Sequence, residues 1–299
     1  MSPRDLAALL ALGALWGASF LFIRIAVPSL GPLVLMELRM GLAAATLVLC
    51  AAIVVRRPRL RARWKQFLFL GTVNAAIPFT LIAAAEIYLT ASLAAILNST
   101  TVMFTAMVAA VWMGDPLTAR KVLGVVLGIF GVAVLVGWDP VEVSGVVLLA
   151  VGAMLAASLS YAVGAVYVKR TFSGVPPLAM AIGQLTGGAV ILLPLAAATA
   201  PAERPPAPAI LSVLGLALLS TALAYLLYFR LISNIGPTST VTVTLLVPVF
   251  GLIFGVLLLD EPFGPGTLAG LGIILSSVVL VTGIGLGSNK RLMQANVES

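Results

Sequence analysis

Long apolar stretches of about 20 residues, separated by short clusters of proline, glycine and charge, dominate this chain. A helix of that length crosses a hydrocarbon layer roughly 30 Å thick, and it satisfies its own backbone polar groups where no water can. The punctuation predicts helices near Leu6–Val27, Pro32–Val55, Phe67–Ile87, Ala91–Trp112 and Lys121–Gly137. A second set follows near Val143–Val168, Pro177–Ala198, Ile210–Ile232, Val241–Leu259 and Thr267–Leu286. Two boundaries carry no charged loop: Tyr88-Leu89-Thr90 and the threonine-rich run Thr238–Thr244.

Read outward from the acidic break Gly137-Trp138-Asp139-Pro140-Val141-Glu142, the two sides repeat each other. Trp16-Gly17 and Arg24 correspond to Tyr161-Ala162 and Lys169, 145 positions on, and Pro32 and Arg39 correspond to Pro177 and Gln184 at the same offset. Asp115-Pro116 and Gly137 recur as Glu261-Pro262 and Gly283, 146 positions on. A period this long is a duplicated half-protein, not a solenoid. The expectation is an all-α membrane protein of ten transmembrane helices in two five-helix repeats, 1–138 and 143–287. An external link at 139–142 joins them, and a cytoplasmic tail follows at 288–299. An odd number of spans per repeat inverts one against the other, an arrangement that suits alternating access to a central site.

Composition agrees. The chain is 61% hydrophobic and 9% charged, against about 25% charged for a soluble domain. Its net charge of +7 is concentrated in short loops. Arg56, Arg57, Arg59, Arg61, Arg63 and Lys65 form a basic loop without an acid, which the positive-inside rule places in the cytoplasm. Counting spans puts Arg4, Arg120-Lys121, Lys169-Arg170, Arg230, Lys290-Arg291 and both termini on that side. Asp139, Glu142, Glu203, Asp260 and Glu261 fall on the other. The basic balance therefore points to topology and anionic lipid headgroups in an inner membrane, not to nucleic acid. The chain has no histidine, no phosphate-binding Gly-x-x-x-x-Gly-Lys loop and no metal-ligand cluster, so no catalytic, metal or cofactor site is expected and the protein is not read as an enzyme.

Ala14-Leu15-Trp16-Gly17 with Arg24, Arg39, and the endings Asp115-Pro116 and Asp260-Glu261-Pro262 together resemble the EamA-type family of the drug/metabolite transporter superfamily. The resemblance runs over Leu6–Gly137 and Val143–Leu286. It implies an exporter or exchanger of small metabolites such as amino acids, with four helices of each half around a cavity and the fifth at the periphery. Broad drug or toxic-metabolite efflux and a channel-like facilitator are the alternatives. The small multidrug-resistance members of the superfamily carry a glutamate in the first helix, which Leu6–Val27 lacks.

A charge at mid-membrane costs roughly 2.5–3.5 kcal/mol on insertion scales, so one retained there marks pairing or function. Arg39, about 10 Å below the surface counted from Pro32, is a candidate for holding a substrate carboxylate, with ion pairing between helices as the alternative. Glu37 projects from nearly the opposite side of the helix, which makes Arg24 its expected partner; a proton-coupling role is the other reading. Trp16, Ser19, Asn74, Asn98, Thr101, Tyr161, Tyr225, Tyr228 and Thr244 fall near mid-depth and are candidates to line a substrate cavity. Hydrogen bonding between helices competes for each of their polar groups. Pro78 and Pro248 interrupt expected cavity helices and are candidate hinges; Pro194 is a third break. The pairs Gly13/Gly17, Gly124/Gly128, Gly183/Gly187, Gly251/Gly255 and Gly266/Gly270 have the spacing that lets helices approach closely. A monomer is expected, with homodimerisation through Gly124/Gly128 or Gly266/Gly270 as the alternative.

Overall fold

The computed structural model describes residues 1–54, 61–138 and 144–284. The expected link and tail, and Arg56, Arg57, Arg59, Asp139, Glu142, Lys290 and Arg291, lie outside them. Among the described residues the regular structure is helical: α1 (Pro3–Val54), α2 (Trp64–Ala85), α3 (Ala91–Met113), α4 (Ala119–Gly137), α5 (Gly145–Thr171), α6 (Pro177–Ala198), α7 (Ala207–Gly236), α8 (Val243–Leu259) and α9 (Pro265–Thr282). All but α8 are long and apolar enough to cross a membrane, and α8 is a shorter apolar helix.

α1 is two helices in series. Gly31, between Pro28 and Pro32, adopts φ 70° and ψ 161°, a conformation that glycine reaches without steric cost. Phe22, before the break, lies against Gly215, and Arg39, after it, bonds Thr221. These anchors are ~9 Å apart along α7, whereas residues 22 and 39 of a straight helix would lie ~26 Å apart. The chain therefore folds back at Gly31, and the arms 3–30 and 32–54 lie side by side. Gly236 (φ 81°, ψ 163°) makes a similar break after α7, and the threonine-rich run continues from it as a short helix before α8.

α2 and α7 each contain a π segment, Thr72–Ala76 and Gly215–Leu223, at corresponding places in the two repeats. In α2 the cause is local. Pro78 offers no N–H to the carbonyl of Asn74, and the N–H of Ile77 reaches back to Thr72 instead. Pro194 and Pro248 lie inside α6 and α8. The weakly marked link at Tyr88-Leu89-Thr90 is a tight turn, with Thr90 Oγ1 capping the N–H of Leu93 at 3.1 Å.

The repeat extends to backbone detail. α3 and α8 end on left-handed residues, Gly114 (φ 71°) and Asp260 (φ 52°), 146 positions apart. The following residues, Asp115 and Glu261, donate their N–H groups to Ala109 and Gly255, again 146 apart. α4 and α9 run antiparallel. Gly124 lies against Ser277 and Val281, Gly131 against Ile274, Gly270 against Leu135 and Gly266 against Trp138. The glycine faces considered for a dimer contact are thus packed against each other within one chain. The other side of α4 exposes Val122, Leu123, Val126, Ile129 and Phe130, as a peripheral helix in lipid requires. Gly13 and Gly17 seat Leu246 and Phe250 of α8, and Gly183 seats Phe67 of α2.

Candidate functional site

The polar centre is built from both repeats. Arg39, on the arm 32–54, is 7% exposed; its Nε donates to Thr221 Oγ1 at 3.0 Å and its guanidinium lies 3.8 Å from the centre of the Phe79 ring. Thr221 stands in the π segment of α7, where its hydroxyl also donates to the carbonyl of Leu216 at 2.8 Å. Gln184 of α6 accepts from Asn74 Nδ2 at 2.9 Å and donates to Tyr225 Oη at 2.5 Å. Arg39 and Gln184 are repeat counterparts, and Asn74 and Thr221 nearly so, at 147 positions. The same contact is therefore made twice, once with a cation and once with a neutral amide. Tyr161 packs edge-on to Phe79, and Tyr161 and Tyr225 both lie in the electrostatic field of Arg39. Among the described residues Arg39 is in no ion pair.

Of the residues named from the sequence, Arg39, Asn74, Tyr161 and Tyr225 meet in this cluster. Trp16 and Tyr228 form an adjoining aromatic pair, 5.5 Å between ring centres, linked to Tyr225 through Phe229. Ser19, Thr101 and Thr244 are not brought there by their hydrogen bonds. Each donates its hydroxyl to a carbonyl three residues back, at 2.6–2.8 Å. Asn98 lies at the interruption of α3, with Oδ1 buried and without a partner among the described residues. Sequence reasoning passed over Thr221 and Phe79, which stand in apolar runs without a marker; Gln184 was visible only as the counterpart of Arg39. The expected Glu37–Arg24 pair is not formed. Arg24 donates to backbone carbonyls elsewhere, and Glu37 Oε2 is buried without a partner among the described residues. The tight turn after α2 draws the guanidinium away.

The two ends of the bundle differ. α2 and α5 are antiparallel, since Phe69 meets Tyr167 and Phe79 meets Tyr161. Arg63, before α2, donates to the carbonyl of Thr171 at the end of α5, 2.9 Å away. Lys169 therefore stands at one end and Glu86, just past α2, at the other, ~33 Å apart along a 22-residue helix. At the Glu86 end Arg24 donates to the carbonyls of Glu86 and Ile87, neutralising the negative end of α2. Glu261, from the second repeat, accepts from Ala91 N–H at 2.6 Å, Ser92 N–H at 3.0 Å and Ser92 Oγ at 2.6 Å, and so caps α3. One short turn is held from both sides. At the other end the counterparts of Arg24 and Glu261, Lys169 and Asp115, face each other at 3.6 Å, with side chains 63% and 39% exposed. Two apolar grooves, of about 560 and 440 Å³, lie away from the polar centre, one beside α8 and α9 and the other between the arm 3–30, α7 and α8.

The sequence profile of the EamA-like transporter family matches residues 5–137 and 148–283. An uncharacterized transporter of Bacillus subtilis, YvbV, is 30% identical over 89% of this chain and 88% of its own length. A protein of Escherichia coli named a probable amino-acid metabolite efflux pump is 28% identical over 95% of this chain and 94% of its own. A solved crystal structure superposes with a TM-score of 0.67 over 95% of this chain and 99% of that one, at 18% identity, which is a likeness of fold.

Proposed function

The chain belongs to the EamA-like transporter family, and we propose that within it this protein exports or exchanges small organic metabolites, amino acids or related compounds, by alternating access. The observation that carries the reading is Arg39, a buried cation without an ion partner among the described residues, at the centre of a cluster assembled from both repeats. A guanidinium so placed suits a substrate carboxylate, and the faces of Phe79 and Tyr161 suit an apolar body. In this reading α1 crosses twice and the short helix before α8 completes a tenth crossing, so the five-helix repeats 1–138 and 143–287 are inverted. The end bearing Arg63, Lys65, Lys121 and Lys169 is cytoplasmic, with both termini, and the Glu86 end is external. The tight external end and the solvated internal one then describe a carrier closed to the outside. The π segment before Pro78 is the favoured flexing point, and Pro248 inside α8 is the second.

Counterflow in proteoliposomes tests the reading. Preloaded amino acid should accelerate uptake of the labelled compound. Arg39→Gln should lower transport of substrates bearing a carboxylate at least tenfold, the equivalent of a charge-assisted bond of about 1.5–3 kcal/mol, and spare uncharged ones. Equal loss of both classes in a variant that still folds would remove the carboxylate assignment.

A further inference from the structure

The Glu86 end holds a buried carboxyl group that takes no part in the polar centre's hydrogen-bond network. Glu86 is 0% exposed, and among the described residues neither of its buried carboxylate oxygens has a hydrogen-bond partner. The charged groups that face it come from three elements: Arg24 on the arm 3–30, Arg39 on the arm 32–54, and Glu261 on the turn before α9. Neither cation bonds the Glu86 carboxyl. Arg24 is engaged with the carbonyls of Glu86 and Ile87, and Arg39 with Thr221 and the Phe79 ring. Glu261 has three donors, two of them backbone N–H groups, and is well served as an anion. Glu86 has none, and a second anion beside Glu261 in a dry site is unfavourable. Burial, and after it the Glu261 carboxylate, hold the Glu86 carboxyl well above the usual carboxylate range.

We propose that Glu86 is a proton-binding site whose occupancy holds the external end closed. Protonated, the carboxyl is neutral and tolerates the dry contact beneath Arg24 and Glu261. When the end opens, water reaches Glu86 and its proton leaves to the external solution. The resulting anion repels Glu261, and reclosure takes one proton back. Sealing is favoured by the protonated form, so it is complete at low pH and is lost as pH rises through the raised value. The proposal rests on the alternating-access reading, because it assumes that this end opens.

Accessibility of a buried thiol tests it, in protein reconstituted in nanodiscs with Cys50 replaced by serine. Leu89, 1% exposed beside Glu86, is replaced by cysteine as the reporter; Tyr88→Cys, at a position 56% exposed, corrects for the reagent's own pH dependence. The ratio of their rates with a charged methanethiosulfonate reagent should rise at least about tenfold between about pH 5 and about pH 9, and stay flat with Glu86→Gln. Glu86→Asp keeps a titrating group and should keep the rise with a displaced midpoint, which decides the matter if the glutamine variant does not fold. A flat ratio with Glu86 intact, or an unchanged rise in Glu86→Gln, overturns the proposal. Leu231→Cys, at a position 0% exposed near the cytoplasmic end, separates the two ideas. Reciprocal changes at Leu89 and Leu231 without any pH dependence would leave alternating access standing and remove the proton site.

Discussion

The Glu86 end and the Lys169 end begin from equivalent residues and arrive at different contacts. Arg24 and Glu261 each hold backbone groups of one turn and cap two helices, with Glu261 8% exposed. Lys169 and Asp115 hold each other in solvent. Homologous halves need not make the same contacts at the same time, and under the proposed alternating access they would exchange them. The difference also ranks the energies. A buried carboxylate with three donors is costly to remove, whereas an exposed ion pair contributes little.

Removing the acid at each end should break the comparison most visibly. Glu261→Ala leaves three donors without an acceptor and should cost about 3 kcal/mol, read as a lower unfolding temperature, while Asp115→Ala should cost less than about 1 kcal/mol. A smaller contrast is expected for the cations. Arg24→Leu should cost about 2 kcal/mol and Lys169→Leu under about 0.5 kcal/mol. Ser92→Ala is the mildest change, removing one of the three donors to Glu261 for about 1 kcal/mol and leaving the backbone cap in place. If the Asp115 and Lys169 variants proved as damaging as their counterparts, the two ends would be equally closed.

Much of the helical architecture was legible in the chain because hydropathy acts locally. Apolar length fixed the helices, and the spacing of Arg24 and Lys169, and of Asp115 and Glu261, announced the repeat before any contact was known. Arg39 was legible from cost alone. Glu86 was equally exposed to that reasoning, since it falls within the expected Phe67–Ile87 span, but its burial depends on the arm 3–30 and the turn before α9 folding over it. Thr221 was hidden for a related reason. A π segment moves it onto the inner face, and register shifts of that kind are set by tertiary packing. The hydroxyls of Ser19, Thr101 and Thr244 bond their own helix's backbone, which competes with facing a cavity, and spacing does not tell the two apart.

The most direct test of two ends in opposite states is to measure both on one sample. Spin labels at Tyr88 and Phe263 span the Glu86 end and labels at Leu117 and Ser173 the Lys169 end, all at exposed positions. Addition of a substrate that supports counterflow should widen one distance in the same proportion of molecules in which the other narrows. Both distances widening together, or one remaining fixed under every condition, would contradict alternating access in this protein.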